Sequence, residues 1–278
     1  MLELVRAPAA LSVPGDTMAG AVAAGRRPNP GLAVASVLMY WSGMALNDWA
    51  DREADAIERP ERPIPSGRVR PGAALGVAAA LTGAGLAAAA IAGGRRGLTV
   101  AGLLAGAVWA YDLGLKRTAA GPASMAACRA LDVLLGAGSD GRAAMPMALA
   151  VGAHTYGISI LGRAEVAGAA PGTAERALAA TTAAAGLAAA ASLRRGAAAR
   201  MGAGVLIAGY LASTLPVQAG LRAHPDPENV RHAVRLSILG LIPLQAAALA
   251  GNGRFGAAGA LLCSLPLGRW LSSRMATS

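Results

Sequence analysis

The feature that most constrains this chain is a succession of apolar segments separated by short polar ones. A helix needs about 20 apolar residues to span a bilayer, and in lipid only a helix or a closed barrel satisfies the backbone hydrogen bonds. No alternating strand pattern competes with the helical one. We therefore predict an all-α polytopic membrane bundle of nine transmembrane helices, with a tenth candidate at the end, in one domain over residues 1–278. The segments fall at 9–25, 31–52, 72–93, 97–113, 119–138, 143–164, 174–193, 198–219, 228–250 and 254–272.

The composition supports a membrane location. Hydrophobic residues make up 55% of the chain, charged residues 14%, and the mean hydropathy is +0.48, which is too apolar for an ordinary soluble domain. The net charge of +10 comes mostly from arginines between the apolar segments. This placement fits contact with anionic lipid headgroups and argues against nucleic acid as a partner. Cys128 and Cys263 are isolated in apolar segments, so they indicate neither a disulfide framework nor a zinc site.

The loops alternate in character along the chain. Long polar loops at 53–71, 114–118, 165–173 and 220–229 alternate with short loops at 26–30, 94–96, 139–142 and 194–197. The polar set, together with the N-terminus, carries more Lys and Arg than the short set. The positive-inside rule therefore places the polar loops, and the active site they carry, on the cytoplasmic face of a bacterial-type inner membrane.

Four oxygen-bearing side chains recur at helical spacing where the second apolar segment ends: Asn47, Asp48, Asp51 and Asp55. Steps of three and four place side chains on one helix face, and a continuous helix would separate Asp48 from Asp55 by about 10 Å. Carboxylates this close repel one another unless a cation lies between them. Mg²⁺ prefers oxygen ligands and commonly binds one or two carboxylates together with substrate phosphates. The spacing predicts a site for Mg²⁺ and a diphosphate.

Two basic segments lie on the same predicted face. Prolines prevent a helix across Glu61–Arg68, so we expect Arg62 and Arg68 in a rigid loop that folds over the bound diphosphate. Lys116, the only lysine in the chain, and Arg117 close the fourth apolar segment, where an ammonium group and a guanidinium group can bind phosphate. The alternative for each basic residue taken alone is a topology-setting anchor.

Polar residues also occur inside the apolar segments. Arg129 and Asp132 are three residues apart, so they can neutralise each other on one helix or line an acceptor pocket. Pro14 and Asp16 interrupt the first segment, which we expect to be irregular or to lie partly at the membrane interface.

These segments resemble the UbiA family of intramembrane prenyltransferases over roughly residues 4–250. The pattern from Asn47 to Asp55 is similar to the family's first Asp-rich motif, and Arg62–Arg68 resembles the loop that follows it. Tyr111–Arg117 resembles a Tyr-Ser-x-x-Leu-Lys-Arg-like segment, and Arg6-Ala-Pro resembles the Arg-Pro opening of many members.

The resemblance implies a helical bundle around a central cavity that opens laterally to lipid. It implies Mg²⁺-dependent transfer of a prenyl group from a C10–C20 polyprenyl diphosphate to a small acceptor, which no residue identifies. Under it, catalysis depends on Asp48, Asp51, Asp55 and Lys116, and Mg²⁺ is held by Asp48, Asp51, Asp55 and Glu165. The substrate-binding residues are Asn47, Arg62, Arg68, Tyr111, Arg117, Arg163 and Glu165.

The chain departs from the family at the second Asp-rich motif. Glu165 stands where one carboxylate is expected, but four residues later comes Ala169, which cannot bind a metal. Arg163 can replace part of the metal's charge and bind phosphate directly. Gly162–Gly168 resembles an actinobacterial, EboC-like branch of the family.

Two alternatives stay open. A membrane terpene cyclase would use the same diphosphate site without an acceptor. A non-catalytic carrier or scaffold for isoprenoids would account for the degenerate second motif.

Overall fold

The structure, a computed structural model, describes residues 13–192 and 196–263, and this part of the chain is helical without a strand. A short 3-10 helix, Leu115–Arg117, joins two of the long helices. The prediction of an all-α fold is confirmed. The helices are α1 (Val13–Ala23), α2 (Pro30–Ala50), α3 (Arg52–Glu58), α4 (Pro71–Leu113), α5 (Gly121–Ala137), α6 (Gly141–Gly162), α7 (Thr173–Ser192), α8 (Ala197–Gly220) and α9 (Pro227–Gly251).

Helix α4 is two helices joined at a tight turn. Gly94 adopts a φ of 61° and a ψ of −153°, a conformation that is open to glycine and costly for other residues. The predicted segments 72–93 and 97–113 are the two arms on either side of it. In the described residues, α4, α6, α8 and α9 are long and apolar enough to cross a membrane. Residues 255–263 are also helical, while the rest of 254–272 and the Arg6-Ala-Pro opening lie outside the described residues.

Small residues bring the helices close together. A Cβ atom on Gly20 of α1 would collide with the Val133 carbonyl of α5, and one on Gly136 would collide with the backbone of Thr17. Such close backbone approach is the usual packing mode of transmembrane helices, which gain little from the hydrophobic effect against one another.

Helix α1 is regular from Val13 onward, so the expectation of an irregular first segment is wrong for this stretch. Pro14 lies in the first turn, where its missing N–H group is tolerated. Asp16 is fully buried, with its Oδ1 accepting a hydrogen bond from Gln245 Nε2 at 2.6 Å and its Oδ2 lying 2.9 Å from Arg129 Nε. Arg129 of α5 and Gln245 of α9 thus stabilise the buried Asp16 carboxylate.

The loops gather at two opposite ends, as their alternation predicts. At one end, the Arg26 Nη1 group donates to Ser139 Oγ at 2.8 Å and Arg96 donates to the Ser139 carbonyl. At the other end, Lys116 contacts Asn47, and Arg163 donates to the Thr118 carbonyl at 2.6 Å. All the predicted site residues lie at or near this second end.

Candidate active site

The acidic stripe (Asn47, Asp48, Asp51 and Asp55) spans a helix junction. Asp51 has φ −94° and ψ 2° and separates α2 from α3, so the helix is interrupted where a continuous one was expected. The hydrogen-bond ladder nevertheless persists, because the Asp51 N–H donates to the Asn47 carbonyl at 2.9 Å and the Asp55 N–H to the Asp51 carbonyl at 2.8 Å. The helical spacing of the stripe therefore survives the junction.

Lys116 joins one half of the stripe to the end of α4. Its Nζ lies 2.8 Å from Asp51 Oδ2 and donates to Asn47 Oδ1 at 3.0 Å. Only 9% of the Lys116 side chain is exposed, so the ammonium group is largely withdrawn from water and its interactions are weakly screened. Arg117 is more peripheral: its Nη2 lies 3.3 Å from Asp51 Oδ1, but 65% of its side chain is exposed.

Arg62 joins the other half of the stripe. Its Nη1 lies 2.6 Å from Asp55 Oδ2 and 3.5 Å from Asp48 Oδ1. Asp48 and Asp55 are 4% and 5% exposed. One guanidinium nitrogen thus bridges two buried carboxylates, one on either side of the helix junction.

The proline-rich loop is anchored so that Arg62 points at the stripe. Ile64, 7% exposed, packs into an apolar cluster with Ala45 and Leu46 of α2 and with the start of α4. The Val69 N–H donates to the Pro63 carbonyl at 2.9 Å and closes the loop. Arg68 is exposed and donates to the Glu61 carbonyl at 2.6 Å. The structure therefore places Arg62 in the site and gives Arg68 a contact that braces the loop.

The second-motif segment does not repeat the helical arrangement of the first. Helix α6 ends at Gly162, and turns follow through 163–167, so Glu165 and Ala169 do not share a helix face. Arg163 Nη2 donates to the Thr118 carbonyl at 2.6 Å, which puts it beside the 114–118 loop. In the described chain no ion pair or hydrogen bond of the Glu165 side chain reaches the acidic stripe.

Ala169 is committed to packing against a neighbouring loop. Its N–H donates to the Pro225 carbonyl at 2.7 Å, and its side chain packs beside Leu161 and Leu221. Gly168, with φ +86°, lets the two loops touch, because a Cβ there would lie 2.7 Å from the same carbonyl. A carboxylate at 169 would enter this apolar contact. Alanine in place of the second acidic residue therefore goes together with a local structure in which position 169 packs against the loop that contains Pro225.

A cavity of about 290 Å³ leads inward from the stripe, between α1, α2, α4 and α5. Its outer end carries Asn47, Tyr111 and Asp112, and its inner end carries Ser36, Arg129 and Asp132. Apolar side chains lie between them. The other lining residues are Val13, Met39, Tyr40, Gly43, Met44, Leu104, Val108, Met125 and Cys128.

Asp112 is a site residue that the sequence reasoning missed. It is 4% exposed, and its Oδ1 lies 3.8 Å from Lys116 Nζ. It follows an apolar helix without an acidic neighbour, so only its spacing of four from Lys116 signalled a shared helix face. Asp112 lies where the cavity meets the acidic stripe.

The donor set suits a hard divalent cation, since Asn47, Asp48, Asp51 and Asp55 offer only oxygen atoms. The protein's own cations occupy the spaces between these oxygens: Lys116 lies between Asn47 and Asp51, and Arg62 lies between Asp48 and Asp55. Among the described residues no three acidic, histidine or cysteine side chains converge on one point. The oxygen atoms of the stripe are therefore suitable ligands for Mg²⁺. For the ion to bind, Lys116 and Arg62 must leave these oxygens and pair with another anion, such as a phosphate.

Comparison of the sequence with known proteins identifies relatives that match this chain over part of their length. Digeranylgeranylglyceryl phosphate synthase from Natronomonas pharaonis is 42% identical over 85 residues, which cover 29% of this chain and 31% of that protein. The bacteriochlorophyll synthase 33 kDa chain of Cereibacter sphaeroides is 39% identical over 103 residues, 35% of this chain and 33% of that one. The matched stretches thus span about a third of these relatives.

Solved structures share the fold over nearly the whole chain. The apo structure of a UbiA homologue from Aeropyrum pernix K1 has a TM-score of 0.70 at 19% identity and covers 87% of this chain and 97% of its own. A structure concerned with digeranylgeranylglyceryl phosphate synthase in membranes has a TM-score of 0.64 at 18% identity and covers 90% and 96%. These likenesses and the apolar helices show a multi-pass membrane protein. The sequence model of the UbiA prenyltransferase family matches residues 16–166, more than half of the chain, and the chain belongs to this family.

Proposed function

We propose that this protein transfers a prenyl group from a C10–C20 polyprenyl diphosphate to a small acceptor inside the membrane, with Mg²⁺ at the acidic stripe. The observation that carries the proposal is the double bridge at the stripe. Lys116 bridges Asn47 and Asp51, and Arg62 bridges Asp48 and Asp55. Such a cluster holds carboxylates that can bind the metal ion and, beside them, two cationic side chains that can bind the diphosphate.

Members of the family are generally dependent on a divalent metal. In this chain Asp48, Asp51 and Asp55 would hold the ion, with Asn47 as a further oxygen donor. When bound, Mg²⁺ neutralises the charge that develops on the diphosphate as it leaves. If the carboxylates held Mg²⁺, Lys116 and Arg62 would donate hydrogen bonds to phosphate oxygens instead of to the stripe. Arg163, beside the 114–118 loop, supplies a further positive charge in place of the second motif.

Prenyl transfer replaces one bond to the allylic carbon with another. The bond between the allylic carbon and the diphosphate oxygen breaks, and the electron pair leaves with the diphosphate. The acceptor's nucleophilic atom forms the new bond to carbon and releases a proton. Asp112 lies where the cavity meets the stripe, and its carboxylate receives that proton in this proposal. Tyr111, on the same cavity wall, contacts the substrate.

The protein acts as one unit over residues 1–278, embedded in the inner membrane with its acidic stripe toward the cytoplasm. Nine crossings fit α1, α2, the two arms of α4 and α5–α9. The excess of Lys and Arg in the loops at the stripe end supports this orientation.

The direct test is turnover by the purified protein in lipid nanodiscs. Geranylgeranyl diphosphate, Mg²⁺ and a panel of phenols, polyols and glycerol phosphates would be incubated with the protein, and the products identified by mass spectrometry. Prenylated acceptor that disappears in Asp51→Asn supports the proposal. A cyclised hydrocarbon formed without any acceptor favours a terpene cyclase. Intact diphosphate under every condition favours the carrier, to which the degenerate second motif also points.

A further inference from the structure

A second polar cluster lies at the inner end of the cavity, remote from the acidic stripe. Ser36 and Asn47 are both on α2 and both line the cavity, roughly 16 Å apart along the helix axis. Arg129 and Asp132 of α5 line the inner end beside Ser36. Because the stripe and its cations occupy the other end, the inner cluster is not needed to bind the diphosphate.

The inner cluster is built from buried, mutually positioned groups. Ser36 Oγ donates to Asp132 Oδ2 at 2.7 Å, and Asp132 is 5% exposed. Arg129 pairs with Asp16 of α1 at 2.9 Å, and Gln245 of α9 holds the other oxygen of Asp16. Arg129 and Asp132, three residues apart on one helix, thus each have a closer partner on another helix than they have in each other.

Each of the two residues retains one unsatisfied polar atom. Within the described part of the chain, Arg129 Nη2 and Asp132 Oδ1 are buried without a hydrogen-bond partner. Unsatisfied buried donors and acceptors are costly and uncommon. A hydroxyl group can both accept and donate, so hydroxyl groups are suitable partners for atoms of both kinds.

The charges of the cluster discriminate between acceptors. One guanidinium group, Arg129, faces two carboxyl groups, Asp16 and Asp132, and its ion pair with Asp16 already cancels its charge. A carboxylate or phosphate on the acceptor would therefore meet no net positive charge here and would lie close to Asp132. We propose that the inner end of the cavity, at Arg129 and Asp132, binds a hydroxyl group of an uncharged acceptor whose reacting atom lies at the outer end beside Asp112. This inference rests on the proposed function and names the class of its acceptor.

The test uses two probes of similar length that differ in the charge of their single polar end, 2-phenylethanol and phenylacetate. The readout is occupancy of the cavity, independent of turnover. Cys128 lines the cavity, and in a Cys263→Ser background it is the only thiol. A ligand in the cavity slows alkylation of Cys128 by iodoacetamide, which is measured by mass spectrometry.

We expect the uncharged probe to slow alkylation at concentrations at least about tenfold lower than the carboxylate does. Asp132→Asn should reduce this preference at least about fivefold and improve occupancy by the carboxylate, because the negative charge facing it is removed. Ser42→Ala, a buried hydroxyl of α2 that bonds to the Ala78 carbonyl outside the cavity lining, is the matched control and should leave the preference unchanged.

Equal or better protection by the carboxylate overturns the inference, as does protection by neither probe. Asp132→Asn affecting both probes alike also overturns it, because that result describes a structural role only. Binding of an unreactive geranylgeranyl thiolodiphosphate is measured on the same samples. If the thiolodiphosphate fails to bind while the uncharged probe still protects Cys128, the proposed function fails and the polar subsite stands.

Discussion

Lys116 Nζ lies 2.8 Å from Asp51 Oδ2, a contact that ties the turn after α4 to the junction between α2 and α3. The ammonium group is also 3.8 Å from Asp112 Oδ1. Lys116 therefore lies where the acidic stripe meets the cavity. A phosphate oxygen arriving with its own metal ion would compete with these carboxylates for the same ammonium group.

Replacing Lys116 with Gln should raise the KM for the prenyl diphosphate about tenfold or more, because a charge-assisted contact to phosphate is lost. Lys116→Arg should restore little, since the pocket around this largely buried side chain is shaped for a compact ammonium group. Steady-state kinetics with varied diphosphate measures the effect. Arg70→Gln removes an exposed positive charge from the same end of the molecule and should change the KM little. Equal effects of the two substitutions would show that only the overall charge matters.

Asp51→Asn should lower the rate of prenyl transfer roughly 100-fold or more, because it removes a metal ligand that stabilises the departing diphosphate. The comparison variant is Glu53→Gln, two residues away, whose side chain is 87% exposed. It should keep near wild-type activity. A similar loss in both variants, measured as initial rates at saturating Mg²⁺, would argue against a specific role for the stripe.

Arg62→Gln should destabilise the protein more in EDTA than in Mg²⁺ with diphosphate. Without the guanidinium group, Asp48 and Asp55 are two buried carboxylates with less compensation, at a cost of about 2 kcal/mol after allowance for partial exposure. A bound metal would supply the missing charge. Thermal unfolding in detergent, followed by tryptophan fluorescence, measures the difference. A loss of stability that the metal and diphosphate leave unchanged would contradict a shared site.

Gly20→Ala should destabilise the bundle by about 1–3 kcal/mol, because the added methyl group collides with the Val133 backbone of α5 and forces the helices apart. Gly102→Ala in α4, where a Cβ meets nothing within 4 Å, should be neutral or slightly stabilising, since alanine favours the helix. Thermal melts of the two variants give the comparison. Equal stabilities would show that α1 and α5 separate at little cost.

The main features of the fold and half of the site could be predicted because their signals are local. Apolar length predicts the helices, and the spacing of Asn47, Asp48, Asp51 and Asp55 predicts a shared face that survives the junction at Asp51. The pairing of Arg62 and Lys116 with particular members of the stripe depends on the anchoring of Ile64 and on the packing of α4 against α2. Neither the anchoring of Ile64 nor the packing of the two helices produces a recognisable pattern in the nearby sequence.

Sequence analysis offers Arg129 and Asp132 as a neutralising pair or as the lining of an acceptor pocket, but their actual partners could not be predicted because these are distant in sequence. Asp16 and Gln245 are separated by 229 positions, and Asp16 taken alone looked like an interruption of an apolar helix. The helical spacing of Glu165 and Ala169 was misleading for the opposite reason. Helix α6 ends at Gly162, and Gly168, Pro171 and Gly172 favour turns. Two residues four positions apart in this segment therefore do not lie on one helix face.

The most direct test of the account is the affinity for geranylgeranyl thiolodiphosphate, measured in nanodiscs with and without Mg²⁺. The account predicts binding that is at least about tenfold tighter with Mg²⁺ in the wild type and a loss of this metal dependence in the Asp48→Asn, Asp51→Asn double variant. Equal affinity with and without the metal, or metal-dependent binding that persists in the double variant, would contradict the claim that the acidic stripe holds a metal–diphosphate complex.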